Sequence, residues 1–168
     1  MSAFSLRPLQ IALLGVMLSG TALAQTSDRA PSKEIVSWTA SAQRSDKAKP
    51  GKLVELTLRG SVLPGWHVYG LEQLPAGPTP LRVTVETNEF AVVDGTPTAS
   101  PPTKVQDPSF RLETQYYSED FSVVVPVRVE PGAQQIPVNV RFQTCNDRTC
   151  QPPKTVRLSA PITARAGG

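Results

Sequence analysis

Apolar and polar residues alternate with a period of two along most of the chain. Val36, Trp38, Ala40 and Ala42 oppose Ile35, Ser37, Thr39 and Ser41. Val54, Leu56 and Leu58 share one face, and Glu55, Thr57 and Arg59 the other. Leu81, Val83 and Val85 alternate with Arg82, Thr84 and Glu86, and Ile136, Val138, Val140 and Phe142 again share a face. Period-two alternation is the signature of half-buried strands. The run Phe121 to Val129 is strongly β-prone, and its Pro126 predicts an edge position or a bulge. A last strand is expected from Thr155 to Ile162, carrying Val156 and Leu158. Turn signals separate the runs: Lys49-Pro50-Gly51, Leu63-Pro64-Gly65, Asp94-Gly95 and Glu130-Pro131-Gly132. No window keeps a helical period. Seven or eight strands in one domain predict an all-β fold, an immunoglobulin-like antiparallel β-sandwich. The Cys-Trp-Cys spacing of antibody domains is absent, and no internal repeat occurs. Residues 71–80 and 95–108, rich in Pro, are expected to be loops, the second long enough to suggest function.

Composition agrees with a packed β domain. The chain has 168 residues, with 18 Val against 15 Leu. Pro and Gly number 17 and 11, too few for a low-complexity chain. The net charge is only +3, and basic residues are scattered singly, so no nucleic-acid partner is expected.

The N-terminus reads as a targeting segment. Arg7 is the one charge in residues 1–24, an apolar run follows from Leu9 to Leu18, and Ala22-Leu23-Ala24 matches a cleavage signal. The run is too short to span a bilayer. Residues 1–24 are therefore expected to be a signal peptide, 25–33 a flexible leader and 34–165 the domain. The mature chain should be periplasmic, with no membrane insertion after cleavage.

Candidate chemistry centres on Cys145 and Cys150, where one strand ends and another begins. Three readings exist. The pair forms a disulfide that staples a hairpin, a disulfide that exchanges with other thiols, or a metal site. Zinc wants four ligands, and two Cys with a single His in the chain are a poor match. No metal and no cofactor are expected. Loop closure over about six residues contributes only about 2 kcal/mol, against nearly 5 for about 100 residues. A bond placed for stability would better join distant strands. A short ring at a tip is open to an attacking thiolate. Spacing alone leaves staple and exchange evenly matched.

The segment Arg141-Phe142-Gln143-Thr144-Cys145-Asn146-Asp147-Arg148-Thr149-Cys150-Gln151-Pro152-Pro153-Lys154 resembles the signature of the N-terminal periplasmic domain of the DsbD family of thiol:disulfide interchange proteins. Pro64-Gly65-Trp66-His67-Val68-Tyr69 resembles that family's aromatic Gly-Trp-His-x-Tyr segment. Phe110, Tyr116-Tyr117 and the strand to Pro126-Val127 resemble its cap region and following strand. The likeness runs from about Ile35 to Ala164.

The resemblance implies an immunoglobulin-like sandwich with a redox-active pair, Cys145 and Cys150. It implies that Phe110 is the cap, with His67 and Tyr69 flanking the pair. The implied partners are a thioredoxin-like periplasmic domain or protein, and periplasmic disulfide-containing substrate proteins. The chain is expected to be a stand-alone version, without the transmembrane and thioredoxin-like domains of the full-length family. Where the family often has acidic residues before the cap, Pro108-Ser109 stands here, with Asp107 just upstream. The alternative is a non-enzymatic periplasmic binding or scaffolding sandwich with a purely structural disulfide. His67 reads equally as a proton donor to a leaving thiolate and as a hydrogen-bonded structural residue. Trp38 and Trp66 read as core, as does one of Tyr116 and Tyr117. Arg148 reads either as a group that lowers a thiol pKa or as a solvated turn residue.

Overall fold

Twelve strands occupy the described residues of the computed structural model, which are 34–44, 53–86 and 91–163. They are β1 (Val36–Arg44), β2 (Leu53–Val62), β3 (His67–Tyr69), β4 (Arg82–Val85), β5 (Ala91–Val93) and β6 (Thr98–Ala99). β7 (Thr103–Asp107), β8 (Leu112–Tyr117), β9 (Phe121–Val129), β10 (Gln135–Phe142), β11 (Thr144–Cys145) and β12 (Lys154–Thr163) follow. The segments expected to be a signal peptide and a leader, the expected Lys49-Pro50-Gly51 turn and the residues after 163 lie outside the described residues.

The larger sheet runs in the order β4-β10-β12-β1-β2-β9-β5, with β6 also on β9. Its ladders are antiparallel but for one: the end of β12 runs parallel to β1, pairing Ala42 with Ile162. That short contact joins the β4-β10-β12 half to the β1-β2-β9 half. The alternating apolar residues of both halves then meet in one core. Val54, Leu56 and Leu58 of β2, Val123, Val125 and Val127 of β9, and Ile136, Val138 and Val140 of β10 are all buried there. The fold is the all-β sandwich that the alternation predicts. Each fully buried Val or Leu contributes roughly 1.5–3 kcal/mol by leaving water.

Three expectations need correction. Residues 95–108 are not a plain loop, because they hold β6 and β7. Both strands are short and polar, and β7 is exposed except at Asp107, so neither shows an apolar period. The strand count is higher than seven or eight for the same reason. Pro126 also does not mark an edge strand, since β9 pairs with β2 on one side and with β5 and β6 on the other. β5 covers Val127–Val129 and β6 covers Val123–Val124, and Pro126 stands at the break between them. Its carbonyl accepts the Asp94 N–H at 2.9 Å, while its ring nitrogen, on that side, has no hydrogen to donate.

Behind the sandwich stands a second, four-stranded sheet in the order β11-β3-β8-β7. The turn before β3 is set by Gly65, at φ 82°, with Trp66 N–H donating to Leu63 O at 3.0 Å. The pairing Thr144↔Val68↔Tyr117 buries one face of this sheet against the core. Tyr117 stacks on Phe121, with centroids 4.2 Å apart, and Phe121 meets the edge of Trp38 at 5.4 Å. Trp38 and Trp66 are half-buried and packed against the core, and Tyr117 is the core member of the tyrosine pair, as expected.

The aromatic stack depends on a missing side chain. A Cβ at Gly60 would stand 2.6 Å from the Phe121 ring and 3.2 Å from Trp38. Phe121 is held between Tyr117 and Trp38 and has nowhere to move. In an open strand Gly→Ala stabilises by restricting the unfolded chain. Here overpacking decides the sign, and Gly60→Ala should cost about 1–3 kcal/mol. Urea unfolding should show a lower midpoint at unchanged slope. An unchanged or raised midpoint would show that the stack yields.

Candidate functional site

The outer face of the four-stranded sheet carries the cysteines. Residues directly opposite in a ladder project to the same side. Cys145 pairs with His67, and Tyr69 pairs with Tyr116, so all four side chains share that face. The rings form a continuous wall: His67 lies 4.6 Å from Tyr116 and 5.2 Å from Tyr69, centroid to centroid. A cavity of about 180 Å³ opens beside them, lined in part by His67, Tyr69, Asp107, Tyr116 and Cys145.

Cys145 and Cys150 are joined in a disulfide, with Cα atoms 4.0 Å apart. The turn between them is built by Asn146. Its side-chain oxygen accepts N–H bonds from Arg148 at 2.9 Å and Thr149 at 2.8 Å, and its own N–H donates to Thr149 O at 2.9 Å. This is the local bonding that makes Asn a turn former. Gln151 N–H closes the loop on Thr144 O at 2.8 Å. Gln143 anchors the approach: its carbonyl accepts the Tyr69 N–H at 3.2 Å, and its side chain accepts the Thr79 N–H at 2.7 Å. Cys145 is 1% exposed, whereas Cys150 is half-buried. Arg148 is exposed in the turn.

Phe110 sits in the β7–β8 turn, half-buried, its ring edge-on to Tyr69 at 5.7 Å. The turn closes through Arg111 N–H donating to Asp107 O at 2.7 Å, with Arg111 at φ 56°. Asp107 is the organising residue that the sequence reading passed over. It is 5% exposed. Oδ1 accepts the N–H groups of Ser109 at 2.8 Å and Phe110 at 3.3 Å. Oδ2 accepts the Tyr69 hydroxyl at 2.8 Å and, more weakly, the Thr114 hydroxyl at 3.5 Å. An Asp two residues before a Ser, with Pro between, is an Asx-turn signal that marked this role in advance.

These contacts set the protonation of the wall. Burial, reinforced by the bond to Asp107, holds the Tyr69 phenol well above its ordinary range, so it stays a donor. Burial lowers the His67 pKa, with Asp107 and Asp147 pulling the other way. His67 is therefore neutral at pH 7, and its buried Nε2 has no hydrogen-bond partner. Among the described residues no three His, Cys, Asp or Glu converge in a way that could hold a metal ion. No helix among them is long and apolar enough to cross a membrane.

Known proteins share this architecture. The N-terminal periplasmic domain of ScsB from Proteus mirabilis superposes with a TM-score of 0.53 at 17% identity, over 78% of this chain and 48% of that one. The DsbD N-terminal domain of Neisseria meningitidis, in its reduced form, matches at TM-score 0.48 and 15% identity, over 69% and 90% of the two chains. A chain from the complex between the DsbD and PilB N-terminal domains of that organism matches at 0.49 and 13%, over 73% and 80%. No curated protein matches the chain. The family model for the N-terminal part of thiol:disulfide interchange protein DsbD matches residues 38–161, well over half of the sequence. The chain belongs to the DsbD N-terminal domain family.

Proposed function

We propose that this protein is a periplasmic thiol-disulfide exchange module. It passes electrons between a thioredoxin-like partner and disulfide-containing substrate proteins through Cys145 and Cys150. The observation that carries the reading is the disulfide's place: it closes a sequence separation of 5 at a sheet edge, beside a cavity walled by His67, Tyr69 and Tyr116. Family membership supports the chemistry.

The exchange is a pair of substitutions at sulfur. A partner thiolate attacks one sulfur of the disulfide, forming a mixed disulfide and releasing the other sulfur as a thiolate. The half-buried Cys150 is the accessible target, which makes Cys145 the leaving group. The Cys145 thiolate takes up a proton. A second partner thiolate then attacks the partner's own sulfur in the mixed disulfide, and Cys150 leaves and is protonated in turn. The partner departs as a disulfide, and this protein holds two thiols and two more electrons. Reaction with a substrate disulfide reverses the sequence. His67 stands opposite Cys145 in the ladder, and that pairing supports its reading as a residue flanking the redox pair. Phe110 is the cap that keeps small thiols from the pair between partners.

The rival is a binding or scaffolding sandwich with a structural disulfide, and the burial of Cys145 favours it. Two measurements separate them. The exchange reading expects the pair to equilibrate with a glutathione buffer above about −300 mV, where structural bonds resist reduction. It also expects the protein with Cys145→Ala and Cys150→Ala to stay folded, losing about 2 kcal/mol for so small a ring. An unfolded double variant at room temperature would establish the staple. The cap is tested by Phe110→Ala. Loss of a core anchor should cost about 3–5 kcal/mol, whereas loss of a cap should cost little and speed native-state reduction by dithiothreitol. A destabilised variant reduced at the wild-type rate would remove the cap from the mechanism.

A further inference from the structure

Among the described residues Asp107 is the one buried charged side chain, and its two oxygens serve different parts of the fold. Oδ1 holds the turn that carries Phe110, through the Ser109 and Phe110 N–H groups. Oδ2 holds the floor of the site, through the Tyr69 hydroxyl on β3, 38 residues away in sequence. We propose that Asp107 and Tyr69 form a latch, two positioning residues that set how often the Phe110 turn lifts from the site and exposes the disulfide. The inference rests on the reading of Phe110 as a cap and adds what holds the cap down.

The need for a latch follows from the turn's own contacts. β7 is the outer strand of its sheet, and its residues before Asp107 are exposed. Phe110 is only half-buried, and its ring meets that of Tyr69 edge-on. Such a contact is weak beside a short bond from a phenol to a carboxylate, which is charge-assisted. The bond joins two residues that sit on separate, non-adjacent strands, since β8 lies between β3 and β7. If Asp107 moves with the turn, the bond to Tyr69 must break. Buried, neither group finds water as a ready replacement partner, so opening is resisted until the pair is solvated or met by a docking chain.

The test uses the oxidised full chain with Asp107→Asn, Tyr69→Phe, the two together, Phe110→Ala, and Val125→Ala as a core control. Asn keeps an oxygen for the two turn N–H groups, but turns an NH₂ or a single shared oxygen towards Tyr69. Tyr69→Phe removes one hydroxyl, keeps the ring, and carries the test alone if Asp107→Asn does not fold. The readout is the rate of disulfide reduction by dithiothreitol under native conditions. Loss of one hydrogen bond should speed it roughly fivefold in each single variant. The double variant should be no faster than the faster single, because both break the same bond. Val125→Ala lowers the melting temperature without touching the turn, and should reduce at the wild-type rate. If Phe110→Ala is fast while Asp107→Asn and Tyr69→Phe are not, the latch is wrong and the cap stands. If the latch variants are fast and Phe110→Ala is not, the latch stands and another group is the shield. If none is fast, both ideas fall. If the double variant multiplies the single effects, or Val125→Ala is equally fast, the two residues are not a latch.

Discussion

The register of one hairpin decides where the sulfurs stand. β10 and β12 pair without a break from Gln135↔Pro161 to Phe142↔Lys154, so residues 143–153 are left over at its end. A long leftover would ordinarily be a mobile loop. Here Thr144 and Cys145 turn away and join a different sheet, opposite Val68 and His67. The two-residue ladder is short, but it is braced on both sides by Gln143 and by the Gln151–Thr144 bond. The core-facing Thr144 and Val68 are buried, which fixes the face on which Cys145 and His67 must appear. A slip of one residue would put the sulfur in the core and the threonine at the cavity.

Stability and reactivity are thereby assigned to separate parts of the molecule. The sandwich core is Val- and Leu-lined and has its own aromatic stack on Phe121. None of its buried strands depends on the disulfide for register. The second sheet shares only one face with that core, and its other face is aromatic and polar. Polar atoms on that face would be costly if unpaired. Asp107 meets the cost for Tyr69 and the turn N–H groups together, while His67 Nε2 is left without a partner.

The large sheet was legible in the sequence because its strands are buried on alternate residues. Val54, Leu56 and Leu58, or Ile136, Val138 and Val140, carry the period themselves. The cysteine segment was legible as chemistry, since two Cys in so short a span have few uses. β6 and β7 were not legible. Thr98-Ala99 and Thr103–Asp107 form strands because β9 and β8 offer them backbone partners, and their side chains carry almost no pattern. The role of Asp107 was not legible for a related reason. The chain shows an acid near Phe110 but not that Tyr69 reaches across from β3 to meet it. That distance is set by the tertiary pairing of β3, β8 and β7.

On the proposed exchange reading, unequal burial of the two cysteines gives the reaction an order. Cys145 lies inside the ladder, and Cys150 follows a turn held by Asn146 and stands half-buried. On that reading a thiolate arriving from outside meets Cys150 first and releases the sulfur of Cys145, which pairs with His67 in the ladder. On the same reading Cys145 is the sulfur held back from solvent, while Cys150 is the one through which partners enter and leave.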